Sequence, residues 1–199
     1  MSVALEQLKQ LPSIVKLLPG DLQEERYSFS LLHSGLPKTG LIEVSGVPGS
    51  GKTQAILQFL HENPKLHVAW IEKDFTIFPP SFSEYWIRLE QILFLDLSST
   101  TLQHSPFSFA SNTIKSQLFQ LIVLSQLSFL EVDLRRLQLL CKQTGSLAIL
   151  LNDRALSSQN WPISLQLHAT RNNPSPEGEE LKLTVLKSRS SHLWQSKKE

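Results

Sequence analysis

The eight residues Gly46-Val47-Pro48-Gly49-Ser50-Gly51-Lys52-Thr53 constrain this chain more than any other stretch. They fit G-x-x-x-x-G-K-[ST], the P-loop pattern that cradles phosphate. An apolar run from Leu41 to Ser45 precedes them. A helical pattern follows from Gln54 to His61, with Ile56, Phe59 and Leu60 on one face. Strand, glycine loop and helix form the context in which the pattern has physical meaning. The glycines let backbone N–H groups turn inward around an anion, and the helix start adds a positive dipole. Lys52 supplies a charge, and the Thr53 hydroxyl can ligate Mg²⁺. The expected ligand is ATP with Mg²⁺, held by Gly46 to Thr53.

The chain has 199 residues, 41% of them hydrophobic, which suits one domain with a small appendage. Its formal net charge of +1 implies no broad polycationic field, which argues against strong non-specific DNA binding by this chain alone. The single cysteine, Cys141, excludes an internal disulfide and a multi-cysteine zinc site, and suits a reducing, cytoplasmic setting. No apolar run reaches transmembrane length, so no membrane role is expected.

In chain order, residues 2–11 pattern as a short amphipathic helix, read either as a lid on the domain's own core or as a docking arm. His67 to Ile71 is a short apolar run of the kind buried in a parallel sheet, and Glu72, Lys73 and Asp74 follow it at once. Function gathers at the carboxyl ends of strands in open α/β sheets. Glu72 and Asp74 thus stand within reach of a phosphate or its attacking water; the alternative is a solvated strand end.

Phe82 to Glu90 suits a short helix with Tyr85, Trp86 and Leu89 partly buried, and Gln91 to Leu97 a third strand. Residues 98–110, rich in Ser and Thr and containing Pro106, suggest a loop, with Ser111 or Asn112 capping a helix through Leu118. Phe119 to Ser125 is a fourth strand. A P-loop protein usually ends it in the acidic Walker B residue. Here Ser125 stands there, a hydroxyl that holds a Mg²⁺-bound water weakly and brings no charge.

Phe129 to Gln143 patterns as a helix with Leu130, Leu134, Leu137 and Cys141 on one stripe, and Gly145 as its C-cap. Cys141 is expected to be an inert core residue. Arg135 and Arg136 are either solvated surface or a contact for a partner or nucleic acid. Leu147 to Leu151 is a fifth strand, ending in Asn152-Asp153-Arg154. Two alternating segments, Ile163 to Ala169 and Leu181 to Val185, flank a Pro/Gly turn and predict a hairpin with one solvated face.

The sum resembles the RecA-type P-loop ATPases, over roughly residues 31–190. Gly35-Leu36-Pro37 and Gly40 ahead of the loop strand, the acidic cluster after the second strand, and the terminal hairpin carry the likeness. The resemblance implies an α/β fold: a RecA-like P-loop NTPase core with a mainly parallel sheet flanked by helices, and a C-terminal β-hairpin. It implies three parts: an N-terminal helical segment at 1–30, the ATP-binding domain at 31–190 and a polar tail at 191–199. It casts Asp74, with Glu72, as the carboxylate that orients the attacking water, and Asn152 as a polar sensor of the γ-phosphate. Asp153 stands where a glutamine is expected.

Within that superfamily the chain is similar to the ImuA family of accessory proteins in damage-induced mutagenesis. Leu134-Arg135-Arg136-Leu137-Gln138-Leu139-Leu140 followed by Gly145 carries this likeness. It implies DNA repair and translesion synthesis in the SOS response. The implied partners are an error-prone replicative polymerase, a Y-family-like polymerase and RecA itself, with single-stranded DNA and oligomerisation as further expectations.

The chain departs from recombinases in its short segments after Ser125 and Asn152, where those enzymes carry long DNA-binding loops. The expectation is therefore an ATP-binding accessory factor acting mainly through partners, with weak hydrolysis. The alternative is an active, DNA-dependent RecA-type ATPase. A small-molecule kinase fits less well, because Ala155 to Pro162 carries no arginine for an acceptor lid.

Overall fold

The computed structural model describes residues 25–74, 76–98, 105–156, 162–171 and 180–189. The helix expected at 2–11, the turn at 172–178 and the tail at 191–199 lie outside the described residues.

Seven strands form one sheet in the order β5-β4-β6-β7-β3-β8-β9. They are β3 (Gly40–Ser45), β4 (Val68–Glu72), β5 (Ile92–Asp96), β6 (Leu121–Ser125), β7 (Leu147–Asn152), β8 (Leu165–Arg171) and β9 (Leu181–Ser188). All neighbours pair in parallel except β8 and β9, which pair antiparallel as the predicted hairpin. A two-residue pair, β1 (Arg26–Tyr27) and β2 (Leu36–Pro37), precedes the sheet. The α/β class and the mostly parallel sheet flanked by helices are thus borne out.

The central strands are buried on both faces, which explains their near-continuous apolar sequences. Helix α1 (Lys52–Glu62) packs Ala55, Ile56, Phe59 and Leu60 against Val44, Trp70, Val123 and Leu151 on one face. Two further helices, α3 (Pro106–Lys115) and α4 (Glu131–Thr144), cover the other face through Ile114, Leu134, Leu137 and Cys141. Burying each large aliphatic or aromatic side chain stabilises by about 1.5–3 kcal/mol. Phe59 is fully buried and meets the edges of Tyr27 and Phe29 at 5.7 and 5.4 Å between ring centres. The domain's packing therefore begins before residue 31.

Helix α2 is only one turn, Ser81–Glu84, shorter than the expected span to Glu90. Phe82 is its buried anchor, wedged edge-on between Trp70 and Phe94. Trp86 adopts φ 56° and is 85% exposed, contrary to expectation, because the chain turns out of the helix there. Helix α3 starts five residues before the expected cap. Ser105 is its N-cap, accepting from Ser108 N at 3.3 Å. Pro106 occupies the first turn, where its missing N–H costs nothing, so a residue that suggested a loop starts a helix.

Leu130 is exposed, because it is the N-cap of α4 rather than part of its apolar stripe, and Gln138 takes a buried place on that stripe. Gly145 caps α4 at φ 73°, as expected. Burial pushes the Cys141 thiol up to about 12, which fits an inert core residue. Arg135, more than half exposed, pairs with Glu131 one turn earlier, and Arg136 lies over the Phe107 ring. No helix among the described residues is long and apolar enough to cross a membrane.

Candidate functional site

Strand β3 sits centrally, and β6 and β7 separate it from β4. The segments leaving the carboxyl ends of β3, β4, β6 and β7 therefore converge on one crevice, the usual ligand position in an open α/β sheet. A cleft of about 430 Å³ opens there. Its walls include Val47 to Gln54, Glu72, Phe78, Ser125, Gln126, Asp153 and Arg171. That volume lies in the range of small-molecule sites.

The glycine loop is locked to its surroundings. Gly46 N donates to Asn152 O at 3.1 Å, tying the loop's first residue to the end of β7. A Cβ at Gly46 would stand 2.7 Å from the Ala169 carbonyl, which leaves room for no other residue. Gly51 is the N-cap of α1 at φ 91°, a left-handed conformation that favours glycine. Ser50 N closes a turn onto Val47 O at 3.0 Å.

Among the described residues, the N–H groups of Gly49, Gly51, Lys52 and Thr53 have no backbone acceptor. These are the orphan donors of a helix start. Ser50 Oγ is buried without a hydrogen-bond partner. Free donors around a glycine turn, with an orphaned hydroxyl inside it, fit a phosphate group.

Lys52 lies deep in the cleft, its side chain 13% exposed. Its ammonium donates to the Gly46 carbonyl and to Asp153 Oδ1, the latter at 2.8 Å. Arg171, which also lines the cleft, donates through Nη2 to Gln54 Oε1, two residues after Lys52. Phe78, 68% exposed, stands at the rim.

The two acids after β4 separate. Glu72 lines the cleft and is buried. Its Oε1 accepts from Trp70 Nε1 at 3.1 Å. Its Oε2 accepts from Thr76 N at 2.9 Å and Ile77 N at 3.2 Å, with Thr76 Oγ1 at 3.4 Å. Asp74 is exposed and is not among the residues that wall the cleft. The chain has already left the sheet by that residue.

Asn152 does not line the cleft. Leu151 faces the cleft, and the two-residue period of a strand turns Asn152 to the opposite face. There Asn152 Nδ2 donates to Glu43 Oε1 at 2.7 Å. The same oxygen accepts from Leu156 N at 2.9 Å, and Gln166 Nε2 donates to Glu43 Oε2 at 2.8 Å. Glu43 is fully buried. Its signal in the sequence is an acid in the middle of an otherwise apolar strand.

Ser125 and Thr53 both line the cleft, as their assigned role requires. The described residues contain no cluster of three His, Cys, Asp or Glu side chains that would hold a metal. A Mg²⁺ ion would find the two hydroxyls, and in the same cleft the carboxylates of Glu72 and Asp153, each already accepting from the protein. It fits only as an ion carried in by phosphate oxygens and water. Gln126, directly after Ser125, has φ 54°, a left-handed backbone that costs a non-glycine residue roughly 1 kcal/mol and tends to cluster at functional sites.

A scan against models of known protein families gives no match, and a comparison with curated proteins gives none either.

Proposed function

We propose that this chain binds a nucleotide, ATP, through residues 46–53. In this reading it serves as a RecA-like accessory factor in DNA repair and translesion mutagenesis, acting mainly through protein partners. The observation that carries the binding half is the glycine loop itself. It presents free N–H donors, an orphaned Ser50 hydroxyl and Lys52 at the carboxyl end of a parallel sheet. Phe78 offers an aromatic face at the cleft rim for a base. The repair assignment and the partners, an error-prone or Y-family-like polymerase and RecA, rest on the resemblance of Leu134 to Leu140 and Gly145 to the ImuA family.

Hydrolysis is the weaker half of the reading. Ser125 brings no charge, and Glu72 Oε2 is committed to its own loop. One lone-pair position on Glu72 Oε1 remains, which keeps an active DNA-dependent ATPase as the second reading. Turnover assays with and without single-stranded DNA separate the two: Lys52-dependent, DNA-stimulated hydrolysis favours the enzyme.

Titration calorimetry with ATP tests the binding half. Lys52→Ala is expected to weaken affinity by about 10- to 100-fold, the worth of a charge-assisted phosphate contact. Unchanged affinity would overturn the assignment. Affinity purification from damaged cells tests the other half, and recovery of neither a polymerase nor a recombinase counts against it.

A further inference from the structure

Lys52 is already engaged by an acid. The ammonium has three N–H donors, of which the Gly46 carbonyl takes one and Asp153 Oδ1 a second, at 2.8 Å. Asp153 is held in place by backbone rather than by chance. It directly follows Asn152, whose carbonyl accepts from Gly46 N, so the end of β7 is clipped to the first residue of the loop. The Asp153 side chain is 54% exposed and lines the same cleft as the loop and Lys52. It stands beside the lysine that reaches the outer phosphates in a P-loop.

We propose that Asp153 determines which nucleotide this cleft prefers. Its carboxylate competes with the terminal phosphate of a triphosphate for Lys52, so both nucleotides bind but the diphosphate binds tighter. The inference rests on reading residues 46–53 as a nucleotide site. The remaining Lys52 donor and the free loop N–H groups serve the inner phosphates without disturbing Asp153. A terminal phosphate must displace the carboxylate from Lys52 or sit against it as a like charge. Glu72 adds a second acid to the same cleft wall. The loop's own dipole is insensitive to this competition, since its donors point at the inner phosphates in either case. An indiscriminate surface ion pair would instead yield to both nucleotides equally.

Calorimetry on the full chain with ADP and with ATP, each with Mg²⁺, decides between these. The wild type is expected to bind ADP about tenfold tighter than ATP. Asp153→Asn, an isosteric change at a half-exposed position, should tighten ATP about tenfold and ADP less than about threefold. Asp153→Ala should shift the ratio in the same direction, and circular dichroism melts check that both variants fold. An ADP-to-ATP ratio that neither variant moves overturns the proposal while leaving the nucleotide site intact, provided Lys52→Ala still weakens both ligands. Failure of the wild type and both variants to bind either nucleotide overturns the proposal and the nucleotide site together. Binding of ATP by Asp153→Asn where the wild type shows none supports both.

Discussion

Glu43 and Glu72 are buried carboxylates on opposite faces of one sheet, and they are satisfied in different ways. Neither forms an ion pair among the described residues; both accept hydrogen bonds from N–H donors instead. The donors to Glu43 come from Asn152, Leu156 and Gln166, more than a hundred residues away along the chain. The donors to Glu72 come from Trp70, Thr76 and Ile77, all within five residues. A buried carboxylate with distant donors locks strands together. One with local donors shapes a loop, here the one that walls the cleft. The same chemistry therefore serves the fold on one face and the site on the other.

This contrast can be broken by substitution. Glu43→Ala takes the acceptor away from the half-buried Asn152 amide and Leu156 N–H, and leaves the buried Gln166 amide only the Leu156 carbonyl. It should cost about 2–4 kcal/mol in urea unfolding, with Glu43→Gln costing less. A wild-type midpoint for Glu43→Ala would remove the lock. Glu72→Ala should cost less overall, about 1–2 kcal/mol, because fewer long-range contacts depend on it. Its mark should be local: faster hydrogen exchange at the Thr76 and Ile77 amides with little change in the central strands. Uniformly faster exchange would mean that Glu72 also holds the sheet.

A third carboxylate sharpens the comparison at its small end. Glu62 is partly buried, which pushes its pKa up, but hydrogen bonds from Ser30 and Gln58 and the nearby His61 outweigh this and hold it below the usual value. A depressed folded-state pKa gives stability that is present above the unfolded-state pKa and lost as pH falls through the folded one. Glu62→Gln should therefore lower stability by less than about 1 kcal/mol near neutral pH, and by nothing in acid. A pH-independent difference would show that packing, rather than charge, is at work.

The strand, glycine turn and helix around residues 46–53 were legible because the whole pattern is local, eight consecutive residues between a strand and a helix. The central strands were legible for the same reason, as short apolar runs between breakers. Asn152 was not, since one residue of strand parity decides which face it serves, and an apolar run does not show where the strand ends. The position of Asp74 was hidden for a similar reason: two residues past Glu72 the chain is already outside the cleft. The start of α3 was hidden because Pro106 signals a loop in composition but the first turn of a helix in context. The Glu43 lock was out of reach because its partners meet only through the parallel pairing of β3 with β7 and β8.

The hairpin carries a consequence for how freely this sequence can vary. The space beside Gly46 is filled by the Ala169 carbonyl on β8, and that beside Gly51 by the Leu181 side chain on β9. The floor under the glycine loop is thus made by a part of the chain far downstream of it. A larger residue at 181 would press on Gly51 with the motif's own sequence unchanged, so tolerance to change at the loop and at the hairpin is one shared quantity.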